Sequence, residues 1–318
     1  MAAEMKPEDK VFQPKYLAVT VSIMLVLWGI AFVQWFLRGD GLLSLFIAYI
    51  GLLVGLGIGM YIALPDRKRP QAQRVVHLMV GSLLLVTAIF SDHGNMQIEG
   101  LFFGVLLLAG YIVLHYALAK VVGPLVIGRI WCGWACWFTM IFDFLPYPYS
   151  RYRKPGNWGM IRYLHFFGSL ALVLVLWFAF DYRDGALGNS GMQWFVIGLA
   201  LYYMVGIAMA FWLKDNRAFC KYLCPIAVPM KATSRYALLK VTGEPSHCQD
   251  CEACVEMCPM NIRIKDYIVL GERVLSTECT LCQTCINICP HDSLKLSLAF
   301  DVGGKEYVDW EPPRRRKQ

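Results

Sequence analysis

The stretch Cys248-Gln-Asp-Cys251-Glu-Ala-Cys254-Val-Glu-Met-Cys258-Pro259 recurs in its spacing as Cys279-Thr-Leu-Cys282-Gln-Thr-Cys285-Ile-Asn-Ile-Cys289-Pro290. In this spacing three closely spaced thiolates hold one [4Fe-4S] cluster, and the fourth cysteine of each run ligates the other cluster. The proline after each fourth cysteine turns the chain away from the metal. The two runs therefore predict a pair of cubane clusters.

This crossed ligation divides the eight cysteines into two sets. Site I consists of Cys248, Cys251, Cys254 and Cys289, and site II consists of Cys279, Cys282, Cys285 and Cys258. Two structural zinc sites would also use four thiolates each. In zinc sites, however, one pair of cysteines is usually separated from the next by a long insert, whereas here a third cysteine follows after only two residues. The spacing therefore favours iron-sulfur clusters over zinc or a disulfide framework.

The composition places the protein in the membrane class. Of its 318 residues 57% are hydrophobic and 17% are charged, and the net charge is +7. Such a low charged fraction is typical of chains with several membrane-spanning segments. The twelve cysteines fit a reducing compartment for the cluster-binding part.

Six apolar runs are candidates for membrane spans, because each is close to the length needed to cross a bilayer. They are residues 16–37, 41–64, 75–90, 98–119, 162–180 and 192–213, and the third is the shortest. Residues 1–15 are predicted to be a short tail before the first span. The membrane domain is thus expected over residues 16–243, a cluster-binding domain over 244–298 and a basic tail over 299–318.

The basic residues predict the orientation of these spans. They concentrate between spans two and three, between spans four and five and after span six, where Lys214, Arg217 and Lys221 lie. By the positive-inside rule both termini and the cluster domain face the cytoplasm, in a multi-pass protein of the inner (cytoplasmic) membrane with lipid around it. Because the positive charge is accounted for in this way, no nucleic-acid partner is expected.

Four further cysteines form two spaced pairs outside the two runs. Cys132 and Cys136 lie in Arg129-Ile-Trp-Cys-Gly-Trp-Ala-Cys after the fourth span, and Cys220 and Cys224 lie in Cys-Lys-Tyr-Leu-Cys-Pro after the sixth. At this spacing on a helical turn two thiols lie on one face. The pairs could provide an additional iron-sulfur or other metal centre or could cycle as dithiols, the alternative being four small buried residues in apolar packing.

Three histidines are predicted near the same ends of the spans. His77, His115 and His165 fall at similar depth in spans three, four and five. Ionisable groups in a membrane tend to mark a proton or cofactor path, and quinol oxidation needs a group that accepts protons. Interfacial hydrogen bonding is the plain alternative, and a haem b held by two of them is a weaker one.

Glycines recur along the second span at Gly51, Gly55 and Gly59. No strand precedes them, so a nucleotide-binding loop has no structural context. The spacing instead predicts a smooth helix face for close packing.

The order of these elements resembles the NapH/MauN-type membrane polyferredoxin family, whose arrangement is shared by the assembly protein CcoG and the membrane part of NosR. The resemblance covers residues 101–290 and rests on Arg-x-x-Cys-Gly-Trp-x-Cys, two further spans, Cys-x-x-Leu-Cys-Pro and the two four-cysteine runs. It implies membrane electron transfer linked to the quinone pool, with the ferredoxin clusters on the cytoplasmic side.

The expected fold is an α-helical polytopic membrane protein of about six spans with a C-terminal α+β dicluster ferredoxin-like domain. The expected function is that of an iron-sulfur subunit that links quinone or quinol to a partner oxidoreductase, together with other subunits of a redox complex. No catalytic residue can be named from the sequence. The alternative is a CcoG-like metal or thiol reductase that acts in cofactor or oxidase assembly.

Overall fold

The structure is a computed structural model that describes residues 12–90, 94–150 and 152–310. Most of the tail predicted over residues 1–15, and the last eight residues of the tail predicted over 299–318, lie outside these ranges. The elements run in chain order as α1 Pro14–Arg38, α2 Gly41–Ala63, α3 Asp66–Phe90, α4 Ile98–Leu106, α5 Gly110–Ile127, α6 Ile130–Trp134, α7 Thr139–Phe142, α8 Gly156–Ala179, α9 Gly188–Leu213, α10 Ala218–Tyr222, α11 Ala227–Ser234, β1 Leu239–Gly243, α12 Ala253–Glu256, α13 Ile264–Val269, α14 Thr284–Ile288 and β2 Leu294–Leu298.

Six of the helices in the described part of the chain are long and apolar enough to cross a membrane: α1, α2, α3, α5, α8 and α9. The prediction of a polytopic helical protein with six spans is confirmed. The third span is longer than the sequence suggested, because α3 already begins at Asp66 and includes Arg69 and Arg74 in its first turns. The charged residues there belong to the helix and not to a loop.

The predicted fourth span over residues 98–119 is wrong in its bounds. The chain breaks at Leu108, which has a φ of +55°, and turns back into α5. Ile112 then packs on Gly104, and the Tyr116 hydroxyl donates to the Met96 carbonyl at 2.9 Å. Since α4 has nine residues, it is about 14 Å long and covers half of an apolar membrane core. The fourth crossing is therefore α5. The sequence did not indicate the turn because the residues on both sides of it are apolar.

The glycines of α2 form the close-packed face that their spacing predicts. A Cβ atom at Gly55 would lie 2.6 Å from Met24 Cβ, and one at Gly59 would lie 2.2 Å from Thr20 Oγ1. Both contacts are with α1, so the two helices approach through the missing side chains. This contact fixes the N-terminal helical hairpin.

The C-terminal part is a small α+β unit. Strands β1 and β2 pair antiparallel, with Leu239 opposite Leu298 and Gly243 opposite Leu294. Its buried core brings together apolar side chains and cysteines of both runs, among them Val241, Tyr267, Ile268, Cys254, Cys258 and Cys285. The cysteine sites are thus built into the core of this unit.

Residues 299–310, the described part of the predicted basic tail, are joined to the rest of the chain by backbone hydrogen bonds. The Gly303 N–H donates to the Arg235 carbonyl at 2.7 Å, and the Asp309 N–H donates to the Asn261 carbonyl at 2.9 Å. The Arg153 N–H in turn donates to the Asp309 carbonyl at 2.7 Å. These backbone bonds join the segment to both the cluster domain and the membrane domain, a pairing that composition could not reveal.

Candidate iron-sulfur centres

Site II gathers cysteines from both runs. Cys258, Cys279, Cys282 and Cys285 all line one cavity of about 20 Å³, whose other walls include Ile262 and other apolar side chains. Burial raises the pKa of Cys258 to about 11, with the Cys282 thiol as the next contribution. The structure therefore brings together the four residues that crossed ligation assigns to this site.

Site I is formed in the same crossed way. Burial raises the pKa of Cys254 to about 12, and the next largest contribution comes from the thiol of Cys289, followed by Cys251 and Cys248. Cys289 thus lies beside the first run although it belongs to the second. Cys251 is exposed, whereas Cys254 is buried, so site I reaches the protein surface on one side.

The donor set fits iron-sulfur clusters. Site II offers thiols in an apolar cavity, and Cys254 of site I is buried as well; in such surroundings the ionised form is unfavourable without a cation beside it. A bound metal reverses that preference because it requires thiolates as ligands and releases their protons. Among the described residues no three histidine, cysteine or carboxylate side chains are close enough to hold a single metal ion.

The two separate cysteine pairs meet at a third site, called here the four-cysteine site. Cys132, Cys136 and Cys224 line one cavity of about 30 Å³, and Cys220 is buried close enough to act electrostatically with the other three. The first cysteine of each pair lies in a short helix, α6 or α10, and the second lies just past its end. The expectation of two thiols on one helical face is therefore wrong, but the pairs still converge.

The segment between Cys132 and Cys136 contacts the loop that carries the cysteines of site II. Gly133 packs so closely that a Cβ atom there would lie 2.5 Å from the Thr280 carbonyl oxygen and 3.3 Å from Cys282 Cα. The Trp134 indole N–H donates to the Leu281 carbonyl at 2.9 Å.

Glu278, which sequence reasoning missed, joins the two parts electrostatically. Its buried carboxylate accepts from Arg129 at 3.3 Å, from Arg153 at 3.2 Å and from Arg162 at 3.1 Å, and it also pairs with Lys231. Burial alone would raise the pKa of Glu278, but these cations outweigh it and hold the pKa well below its ordinary value. One carboxylate beside Cys279 therefore faces four cations.

A second polar network supports the backbone of the cysteine pairs. Arg217 pairs with Asp143 at 2.6 Å and donates to the Cys132 carbonyl at 2.9 Å. Lys221 pairs with Asp215 at 2.6 Å. The sequence carried a signal for this network that was not used, because Arg129 and Arg217 each stand three residues before the first cysteine of a pair.

The three predicted histidines lie around the four-cysteine site. His77 is fully buried, with Nδ1 2.9 Å from Asp143 Oδ2 and Nε2 3.1 Å from the Cys136 carbonyl. His165 places Nδ1 2.8 Å from the Leu223 carbonyl, and His115 lines the cavity. Since the first two contact backbone beside a cysteine, their visible role is to position the pairs; none of these contacts tests a quinone or haem role.

Comparison with known proteins agrees with this geometry. A family described as a 4Fe-4S binding domain matches residues 101–154 and 197–234. These segments contain all four cysteines of the four-cysteine site and lie before both cysteine runs. The match therefore associates iron-sulfur binding with the membrane-side cysteines as well.

Three relatives share limited identity with the chain. Two uncharacterized proteins of Methanocaldococcus jannaschii are among them. One is 26% identical over 48% of this chain and 61% of its own length, and the other is 24% identical over 57% of this chain and 76% of its own length. The methylamine utilization ferredoxin-type protein MauN of Paracoccus denitrificans is 24% identical over 42% of this chain and 50% of its own length. No solved structure matches the chain significantly. The chain is thus similar to 4Fe-4S binding proteins of the ferredoxin type, and it carries six helices that are apolar enough to cross a membrane.

Proposed function

We propose that this chain is an electron-transfer subunit that links the membrane quinone/quinol pool to a partner oxidoreductase. The observation that carries the proposal is the contact that Gly133 and Trp134, which lie between two cysteines of the four-cysteine site, make with the loop of site II. A third redox centre between the bilayer and the ferredoxin domain makes a connected series. Neither domain alone would provide that connection.

The burial of the cysteines supports an order for the series. The four-cysteine site lies against the helical bundle, site II is enclosed at the junction, and site I reaches the surface at Cys251. Cys254, Cys258 and Cys285 share one buried core, so sites I and II are adjacent. Electrons would pass between the membrane and a partner that docks near Cys251.

The residues between the sites provide electrostatic stabilisation. Buried cations cost several kcal/mol each when no negative charge is beside them. Arg129, Arg153, Arg162 and Lys231 share the single carboxylate of Glu278, so they favour additional negative charge on nearby thiolates. The clusters, when bound, would supply one-electron carriers whose potentials depend on such charges and on hydrogen bonds.

The positive-inside rule supports a cytoplasmic position for the ferredoxin domain. The start of α3, with Arg67 and Arg69, lies at the same end of the bundle as Gly133, since Gln73 of α3 donates to the Gly133 carbonyl. The basic residues and the four-cysteine site thus share one membrane face. On this proposal a cytoplasmic partner oxidoreductase exchanges electrons with site I.

The test is anaerobic iron and acid-labile sulfide analysis with electron paramagnetic resonance on the detergent-purified protein. The variant Cys220→Ser/Cys224→Ser should lose iron beyond that of two cubanes, while the signals of sites I and II remain as the internal control for folding. Iron equal to two cubanes in the wild type, unchanged in the variant, would contradict a redox centre at the four-cysteine site.

A second experiment addresses the partner. In mild detergent the chain should co-purify in fixed stoichiometry with an oxidoreductase, and dithionite-reduced protein should be reoxidised by added quinone. A chain recovered alone that instead reduces a metal ion or a protein disulfide would point to the CcoG-like assembly reductase.

A further inference from the structure

Glu99 is a buried acid inside the helical bundle that sequence reasoning did not single out. It lies in the first turn of α4 and is 8% exposed. Ile98 precedes it in the chain and Phe103 lies one turn further along α4, and both are fully buried apolar residues. An ionisable side chain in such surroundings is costly and is retained in membrane proteins mainly where it has a function.

The hydrogen bonds of Glu99 are incomplete. The Ser169 hydroxyl of α8 donates to Oε1 at 2.6 Å. Oε2 is buried and has no hydrogen-bond partner among the described residues, and no cation within those ranges forms an ion pair with the carboxylate. The first turn of a helix favours a negative charge, whereas burial opposes it. Glu99 therefore presents one buried oxygen that is open to a proton.

The four-cysteine site is the nearby source of changing charge. Met96 and Tyr116 line the cavity of the four-cysteine site, and the Tyr116 hydroxyl of α5 donates to the Met96 carbonyl at 2.9 Å. Met96 is three residues before Glu99, so the acid lies close in the chain to the wall of this cavity. In a medium of low dielectric constant, interactions between such groups are much stronger than in water.

A hydrogen-bonded chain extends from Tyr202 to the cysteine pair. The Leu223 carbonyl can only accept, so the His165 Nδ1–H donates to it at 2.8 Å. In neutral imidazole Nε2 is then an acceptor, and it receives the Tyr202 hydroxyl at 3.2 Å. The chain ends on the residue before Cys224, so the bundle interior at Tyr202 is connected to the cysteine backbone.

We infer that Glu99 is the group of the membrane interior that takes up a proton when the four-cysteine site gains an electron and releases it when the electron moves on. The inference rests on the proposed function and is written for the direction in which quinol donates the electrons; the reverse direction releases the same proton. Oxidation of a quinol to the quinone yields two electrons and two protons in two one-electron steps. In each step one electron passes to the four-cysteine site and one proton converts the Glu99 carboxylate to the acid, so charge is balanced in the bundle.

The test is a redox titration of the four-cysteine site between about pH 6 and 8, followed by electron paramagnetic resonance on the whole protein. Coupling of one proton to one electron lowers the midpoint potential by about 59 mV for each tenfold fall in proton concentration. The variant Glu99→Gln keeps an oxygen for Ser169 but cannot exchange a proton, so its slope should fall below half of the wild-type slope. The variant Ser169→Ala is the matched control and should keep the slope.

Two outcomes overturn the inference alone: a wild-type site whose potential does not depend on pH, or a Glu99→Gln variant with the wild-type slope. Absence of a redox centre at the four-cysteine site would overturn the proposed function as well. If Glu99→Gln does not retain iron, infrared difference spectra of Glu99→Asp decide. A carboxyl C=O band that shifts from its wild-type position on reduction supports the inference, and an unchanged spectrum refutes it.

Discussion

The substitution Glu278→Gln should weaken the contact between the ferredoxin domain and the membrane domain and so destabilise the protein. The side chain is 3% exposed and accepts from three arginines at 3.1 to 3.3 Å as well as from Lys231. Glutamine has nearly the same shape, so the change removes the charge and leaves the packing in place. Four buried cations then lose the carboxylate that they share.

The expected loss follows from the burial of this ion cluster. Removing one partner of a buried ion pair costs about 3–5 kcal/mol, because the remaining charge stays uncompensated. Anionic thiolates nearby would offset part of this cost in the assembled protein, so we expect a loss near the lower bound, about 3 kcal/mol. Because the cations hold the pKa of Glu278 well below its ordinary value, the stabilisation is fully present above about pH 4.3, the unfolded value, and is lost as pH falls through the lower folded pKa.

The assay is urea unfolding at pH 7 in detergent, followed by the visible absorbance of the iron-sulfur clusters. The matched control is Glu272→Gln, which removes an exposed pair with Lys305 at 2.8 Å on the same domain. Such a surface pair contributes about 0–1 kcal/mol. If Glu278→Gln unfolds within about 0.5 kcal/mol of the control variant, the reasoning about the shared carboxylate is refuted.

Three further predictions concern the contact between the sites and the crossed ligation. Gly133→Ala should lower the free energy of unfolding by about 1–3 kcal/mol and reduce the iron content, because its Cβ would lie 2.5 Å from a carbonyl oxygen. Gly168→Ala, whose Cβ would have nothing within 4 Å, should do neither. Equal iron in both variants would contradict the close contact. Trp134→Phe removes the hydrogen bond to Leu281 and should lower the midpoint of thermal unfolding, at a cost of about 1 kcal/mol; an unchanged midpoint would show that this bond contributes nothing. Cys289→Ser should alter the resonance signal of site I and leave that of site II, and the reverse pattern would mean that ligation is not crossed.

Much of the candidate site could be predicted from spacing alone. Three of the four thiolates that hold a cubane are closely spaced in the chain, so each run indicates a cluster site by its own spacing. The separate pairs around Cys132 and Cys220 were also found, because cysteines at matched positions after two spans are unusual. The histidines were placed at the correct end of the bundle, but their partners, such as Asp143 for His77, were not predicted.

The residues that sequence reasoning missed are those whose partners lie far along the chain. Glu278 is an ordinary acid in a polar stretch until Arg129, Arg153 and Arg162 are brought around it. Glu99 is one charge at the edge of an apolar run until the chain turns at Leu108 and buries it. Nothing local distinguishes either residue from a solvated side chain.

The sequence by itself determined the membrane class, the number of apolar crossings and the spacing of the twelve cysteines, since hydrophobicity and ligand spacing are local properties. Only the tertiary structure decided that the fourth crossing is Gly110–Ile127 and that Gly133 meets the loop of site II. It also decided which charges are buried together. These features depend on contacts between residues far apart in the chain, where burial and pairing energies are set by the surrounding elements and not by neighbours in sequence.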